Sequence, residues 1–244
     1  MFTFVVRNVA RRTFGKNMYS AVALDPLQEA ALNEECFLVN ENDKIIGKAS
    51  KKECHLVKNK TEIPLHRAFS VFLFNNQGHL VLQKRSSEKI TYPDCYTNSC
   101  CSHPIADVGG EDEEKNALGI KRAARRRLNY ELGIPLEQLP LDKFKYITRV
   151  HYKDCGNGKW GEHEIDYVLF LKGDLKLQPN PNEISEISYI PRKEIDSFIP
   201  TLNSELTPWF SLILKHRLKY WWDNLDNVDD IKDHVNILKL GDCS

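Results

Sequence analysis

Asn116-Ala117-Leu118-Gly119-Ile120-Lys121-Arg122-Ala123-Ala124-Arg125-Arg126-Arg127-Leu128-Asn129-Tyr130-Glu131-Leu132-Gly133 carries the clearest helical pattern in the chain. Ala117, Ile120, Ala124, Leu128 and Leu132 recur at helical spacing, which predicts a helix over 116–132, and Gly133 is placed to end it. Arg127 and Glu131 lie four residues apart on one face, and spacing alone reads them as a solvated ion pair. Upstream, an acidic link from Gly109 to Glu114 connects this helix to Tyr92-Pro93-Asp94-Cys95-Tyr96-Thr97-Asn98-Ser99-Cys100-Cys101-Ser102-His103-Pro104. Side chains alternate in an extended segment, so Cys101 and His103 project to the same side. A thiol beside a possible metal ligand is a reactive arrangement, because nearby positive charge favours the thiolate. By itself the stretch fits a Cys-rich loop with a packed thiol and a satisfied histidine equally well.

Further out, Pro26 to Ala31 reads as a short helix, and Glu35 to Val39 and Lys44 to Ala49 as a hairpin turned at Asn40-Glu41-Asn42-Asp43. Lys51-Lys52-Glu53-Cys54-His55 leads into a polar loop. Leu65 to Phe74 is β-branched and aromatic enough for a buried strand. After the turn at Asn75 to Gly78, His79 to Arg85 is expected to return as its hairpin partner. Downstream of the helix, Lys145 to Tyr152 and Trp160 to Leu171 form a second hairpin, in which Glu162 and Glu164 face one side. Asp166 shares that face, and His163 points the other way. A Pro-rich turn precedes a helix–strand unit around 188–198. Pro208 then opens a final amphipathic helix carrying Trp209, Phe210, Ile213, Leu214, Leu218, Trp221 and Trp222, which reads as core packing. The pattern is an α+β layer design.

The chain has 244 residues and zero formal net charge, so nothing global points to nucleic acid or to an acidic membrane surface. No apolar run approaches a membrane span. Seven cysteines with no Cys-x-x-Cys pair argue for reduced thiols, and adjacent Cys100 and Cys101 are unsuited to a disulfide. Residues 1–24 stand apart: Arg7, Arg11, Arg12 and Lys16 with no acid before Asp25 fit a mitochondrial presequence or a disordered extension. This segment is expected to lie outside the fold, and a chain lacking the residues before about Leu24 is expected to keep its activity. Residues 25–244 are expected to form a single domain. His55, His66, His103, Glu162 and Glu164 lack an obvious core role, and three imidazoles with two carboxylates suit a divalent ion such as Mg²⁺, Mn²⁺ or Zn²⁺. Their wide separation makes this a weak signal from spacing alone.

The segments CHL (54–56), LHRAFSVFLF (65–74), TNSCCSHP (97–104), RRLNYELGIP (126–135), WGEHEIDY (160–167), TPWF (207–210) and KYWWDNL (219–225) resemble, in order, type I isopentenyl-diphosphate isomerases of the eukaryotic form. The likeness covers nearly everything after about Leu32. It implies a Nudix-like fold of mixed and antiparallel sheet flanked by helices, with extra N- and C-terminal elements. It implies isomerisation of isopentenyl diphosphate to dimethylallyl diphosphate, in isoprenoid biosynthesis. By the same resemblance, Cys101, Glu164 and Tyr152 are catalytic, and His55, His66, His103, Glu162 and Glu164 hold one divalent ion. Glu131 and the main chain at Cys101 hold a diphosphate-bridging Mg²⁺. Lys51, Arg85, Lys89 and Arg127 bind the diphosphate, and Trp209 covers the isoprenyl group. A cytoplasmic monomer is expected, the alternatives being mitochondria through the leader and peroxisomes without a C-terminal signal, since Gly241-Asp242-Cys243-Ser244 is not a peroxisomal tripeptide.

The helix around 118–133 resembles a degenerate Nudix box. It keeps Glu131 and Gly133 but has Leu118, Arg127 and Tyr130 where the hydrolase pattern places acids, and Asp112 where it places a glycine. Those missing acids weigh against the competing reading of a nucleotide diphosphohydrolase. Retention of Cys101, Glu164, Tyr152 and Trp209 together weighs against a non-catalytic metal-binding relative. Cys100 reads as a packing neighbour of the reactive thiol.

Overall fold

A computed structural model describes residues 25–241 and the backbone of residues 5–7. Its strands are β1 (Val5–Arg7), β2 (Glu35–Val39), β3 (Ile45–Ser50), β4 (His66–Phe74), β5 (Leu80–Arg85), β6 (Tyr96–Thr97), β7 (Cys100–Ser102), β8 (Lys145–Asp154), β9 (Glu162–Lys172), β10 (Ile184–Ile190) and β11 (Ile237–Lys239). Its helices are α1 (Pro26–Ala31), α2 (Lys51–His55), α3 (Leu118–Leu132), α4 (Ile195–Phe198), α5 (Pro208–Ile213) and α6 (Lys219–Asp223), the last two joined through a π-helical turn at Leu214–Leu218. The strands form one mixed sheet in the order β1-β10-β5-β4-β9-β8-β11. Within it β4/β9 and β8/β11 run parallel.

β4 is the buried strand the sequence reading expected: all of its residues, His66, Arg67 and Ser70 included, are buried, because both sheet faces are covered. Phe69, Val71 and Leu73 pack with Ile120, Ala123, Ala124, Leu128 and Leu132 of α3. The alternate residues Phe72 and Phe74 pack with Phe210, Ile213, Leu218, Trp221 and Trp222 of the C-terminal helices. The sheet is therefore sandwiched, α3 on one face and α5–α6 on the other, as the α+β reading expected.

Several local expectations are corrected. α3 begins at Leu118 rather than at Asn116, since Asn116 and Ala117 both take left-handed backbone angles. The preceding loop folds over the first turn so closely that a Cβ on Gly119 would sit 2.3 Å from the Glu111 carbonyl oxygen. At the other end Gly133 takes φ +62° as the helix terminator the sequence predicts. Lys51–His55 leads into a loop as read, but is itself a helix the sequence reading did not assign, with Ser50 and Glu53 forming a reciprocal capping box. The unit after the Pro-rich turn runs strand first, then helix. β11 has no counterpart in the sequence reading. Val5–Arg7, expected outside the fold, pairs antiparallel with β10 at Glu186 to Ser188. The rest of the basic leader, residues 1–4 and 8–24, lies outside the described residues.

The expected β4–β5 hairpin is the largest correction. The two strands share only the pair Phe74 and Leu80, then separate. β5 continues against β6, and β4 continues against β7, so residues 96–102 wedge the sheet open. Ser99 fastens the wedge to both sides: its hydroxyl accepts from Leu73 N at 2.8 Å and donates to Val81 O at 2.6 Å. Backbone groups freed by the split thereby find partners, as buried amides and carbonyls must.

Candidate active site

Strand register assembles the site. The parallel β4/β9 pair sets His66 opposite Glu164, and the antiparallel β8/β9 pair sets Tyr152 opposite the same residue from the other side. The wedge brings Cys101 beside Ser70 of β4. His55 closes the group from the last turn of α2. Glu162, Glu164 and Asp166 alternate with Ile165 and Tyr167, which face α3; the acids therefore open toward the C-terminal helices. All the residues singled out by sequence line one pocket except His66, which is fully buried behind it, and Glu131, which is buried beside Arg127.

His55, His66, His103, Glu162 and Glu164 offer ligand atoms that all lie within 4.8 Å of one another. His55 Nδ1 lies 2.7 Å from Lys51 O and His66 Nδ1 lies 2.9 Å from Pro64 O. A carbonyl can only accept, so each Nδ1 carries the proton and each Nε2 lone pair is left for the centre. His103 Nε2 is 2.8 Å from Glu164 Oε1, and His55 Nε2 is 3.0 Å from Glu162 Oε2. His66 Nε2 and Glu162 Oε2 are buried without an aligned hydrogen bond, each close to a cluster partner but turned toward a common centre. Burial pushes His55 down to about 3 and His103 well below the usual range, the neutral form in which imidazole ligates. Burial likewise pulls on His66, but its contact with Glu164 raises it to about 9. Burial and the neighbouring Glu164 push Glu162 well above the carboxylate range. Glu164 is held well below it against burial, by His103 and His66. Two carboxylates this close ionise together only beside a shared counter-charge. The donor set and its convergence suit a divalent cation.

The thiol is held by two neighbours. Cys101 Sγ donates to Asn98 Oδ1 at 3.0 Å and lies 3.1 Å from Ser70 Oγ, which donates to Asp166 Oδ2 at 2.7 Å. Burial and then Asp166 push the thiol far up, so it is protonated at neutral pH. Trp209 Nε1 donates to the same Asn98 oxygen at 3.2 Å, and Tyr152 OH donates to Glu164 Oε2 at 2.5 Å. Asp166 thus sits behind the reactive groups as expected. His163 faces away, its Nε2 3.0 Å from that of His151.

The pocket's other end is cationic. Arg127 and Glu131 are not a solvated pair: both are buried, with Arg127 Nη2 2.6 Å from Glu131 Oε1. Arg85 donates to Tyr92 O and Thr91 O and lies 5.7 Å from the Trp209 ring centroid. Lys89 Nζ reaches Glu183 Oε2 at 2.5 Å. Glu183, Asn98 and Ser70 were not anticipated. Asn98 and Ser70 lay inside quoted segments without a chemical signal of their own, and Glu183 follows a Pro-rich turn that looked like punctuation only.

The NUDIX domain family model matches residues 64–210, which sets the class of protein that the sheet, α3 and the pocket define. The fold is shared with solved structures of low identity. A protein from Deinococcus radiodurans aligns with TM-score 0.53 at 19% identity, covering 75% of this chain and 99% of that one. A NUDIX hydrolase from Alicyclobacillus acidocaldarius aligns with TM-score 0.51 at 10% identity, covering 75% and 99%. Sequence relatives are far nearer. Isopentenyl-diphosphate delta-isomerase 1 of Mus musculus is 50% identical over 220 residues, covering 89% of this chain and 96% of the relative. The isopentenyl-diphosphate delta-isomerase of Aspergillus fumigatus is 43% identical over 246 residues, covering 94% and 88%. That of Dictyostelium discoideum is 41% identical over 236 residues, covering 94% and 99%. The chain belongs to the isopentenyl-diphosphate delta-isomerases of the NUDIX superfamily, and is an enzyme.

Proposed function

We propose that this enzyme interconverts isopentenyl diphosphate and dimethylallyl diphosphate for isoprenoid biosynthesis, with Cys101 and Glu164 as its two proton carriers. The observation that carries this reading is a partly buried thiol and a buried carboxylate lining one pocket between an indole and a cluster of cations. Moving the double bond adds a proton at one end of the alkene and removes one two carbons away, through tertiary carbocation character. Cys101 and Glu164 exchange those protons, each serving as acid in one direction and base in the other. The Trp209 ring faces the developing cation, an attraction of about 2 kcal/mol when desolvated. Its anchoring on Asn98 holds the ring over the pocket, where it also excludes water that would trap the cation as an alcohol. Tyr152 donates to Glu164 Oε2 and orients that carboxylate, whose Oε1 faces the imidazoles. Lys51, Arg85, Lys89 and Arg127 grip the diphosphate, so that binding energy remote from the alkene fixes its orientation. It also keeps an allylic diphosphate from ionising. Bound divalent cations would orient and tune Glu164 from the His55, His66, His103, Glu162 and Glu164 cluster, and, as Mg²⁺ at Glu131 and the Cys101 carbonyl, neutralise diphosphate charge. No helix among the described residues is long and apolar enough to cross a membrane. A cytoplasmic monomer fits this reading, with mitochondrial import through the basic leader as the alternative.

The test is proton NMR of the purified protein with isopentenyl diphosphate and Mg²⁺ in D₂O, alongside Cys101→Ala and Glu164→Gln. Dimethylallyl diphosphate carrying solvent deuterium is expected from the parent, with a loss of at least a thousandfold in rate in both variants, on the order expected for an essential acid–base group. Release of phosphate or diphosphate instead would favour a hydrolase, and full activity in either variant would remove that residue from the proton path.

A further inference from the structure

Glu183 is a buried carboxylate at the cationic end of the pocket, where an anion is at first sight misplaced. Its oxygens meet three elements at once. Lys89 Nζ, on the loop after β5, lies 2.5 Å away; Arg127 Nη2, on α3, lies 3.2 Å away; Gln28 Nε2, on α1, lies 3.1 Å away. Its own backbone is fastened to the same loop, for Ser86 N donates to Glu183 O at 2.9 Å and Lys89 N donates to Ser86 O at 3.2 Å. Arg127 has a second carboxylate in Glu131. Glu183 is the only side-chain hydrogen-bond partner recorded for Lys89 among the described residues.

We propose that Glu183 is a positioning residue for the isomerase reaction: its carboxylate aims the largely buried Lys89 at the diphosphate and keeps that ammonium charged, with Arg127 braced alongside. This rests on the reading that Lys89 and Arg127 bind diphosphate. The charged groups facing Lys89 are Glu183 before β10, Arg85 at the end of β5, Lys51 at the start of α2, and Arg127 and Glu131 on α3. Burial pulls Lys89 down to about 8; Glu183 is the main influence opposing it, while Arg85 and Lys51 push it further down. Removing the carboxylate leaves a buried ammonium among cations, and such a group sheds its proton. Repulsion between Glu183 and the diphosphate is the weaker effect, because without Glu183 the site loses the charge on Lys89 and the hold on its direction.

The experiment is steady-state kinetics of Glu183→Gln with isopentenyl diphosphate across pH 6 to 9.5, beside Lys89→Gln and the double variant. In Glu183→Gln, KM is expected to rise roughly ten- to hundredfold, the scale of a lost charge-assisted contact, with kcat changed far less. The alkaline limb of kcat/KM, where Lys89 loses its proton, is expected to move to lower pH by about one unit. A residue that only props the fold would not move that limb. In the double variant the limb shift should vanish and the KM increase should fall short of the product of the two single effects. Unchanged KM and limb in Glu183→Gln, with Lys89→Gln still impaired, would overturn the positioning role. Unchanged kinetics in Lys89→Gln would instead overturn the diphosphate assignment beneath it. If Glu183→Gln does not fold, Glu183→Asp decides: a raised KM with an unmoved alkaline limb supports the role, because charge is kept while the contact lengthens, and an unchanged KM overturns it.

Discussion

One carbonyl oxygen, Oδ1 of Asn98, accepts from the Cys101 thiol, the Trp209 indole and the Thr97 hydroxyl, while the amide nitrogen of Asn98 is pinned to Val71 O and Cys100 O. That pinning fixes which end of the amide faces the pocket, since only the oxygen can take those donors. Asn98 therefore couples the thiol proposed as a proton carrier to the indole proposed to face the cation. Asn98→Ala is expected to destabilise the fold by about 2 kcal/mol, because buried donors lose their acceptor. It should also lower kcat at saturating isopentenyl diphosphate more than it raises KM, by roughly tenfold or more. Chemical denaturation and steady-state kinetics check both; an unchanged kcat would mean the thiol is held elsewhere. Residue identity made Cys101, His103, Glu162 and Glu164 legible from the sequence, because thiols, imidazoles and paired carboxylates are chemically loud. Asn98, Ser70 and Glu183 act through what they touch, and nothing local to their positions announced it.

Among the elements, α3 and α2 make an instructive pair. α3 is long enough for its apolar period to repeat four times, so its face against the sheet was readable in advance. α2 is only five residues, too short for a period, and its signal lay in the cap, Ser50 with Glu53 three residues on. That cap matters because His55 sits in the last turn, its ring tied back to Lys51 O of the same helix. Ser50→Ala is expected to cost about 1 kcal/mol of stability. Through His55 it should also raise, several-fold, the divalent-ion concentration giving half-maximal activity. Thermal unfolding and a metal titration of activity measure the two effects. A loss of stability with an unshifted titration would show that the metal cluster is held independently of the cap.

Across the whole molecule, the five cluster residues come from α2, β4, β9 and the end of β7, so a cation there would tie the open edge of the wedge to the sheet. Treatment with a chelator is expected to lower the midpoint of thermal unfolding by several degrees, restored by Mn²⁺, Zn²⁺ or Mg²⁺, since a ligand bound only by the folded state stabilises it by mass action. Scanning calorimetry with and without chelator tests this, and an unchanged midpoint would argue against a resident ion. By itself the sequence determined the α+β composition, the run of α3 and its glycine stop, the facing of Glu162 with Glu164, and the Cys and His candidates, while the pocket's cations, Tyr152 and Trp209 were marked only through the family resemblance. The former depend on local periodicity and on the chemistry of individual residues. Only the tertiary structure decided that β4 abandons β5 after one pair and runs parallel to β9. That pairing sets His66 opposite Glu164, and its companions bring Glu183 to Lys89 and split the sheet around Cys101. Such partners lie far apart along the chain. Their register is chosen by how the two buried faces of the sheet pack against α3 and α5–α6, which no short window of sequence contains.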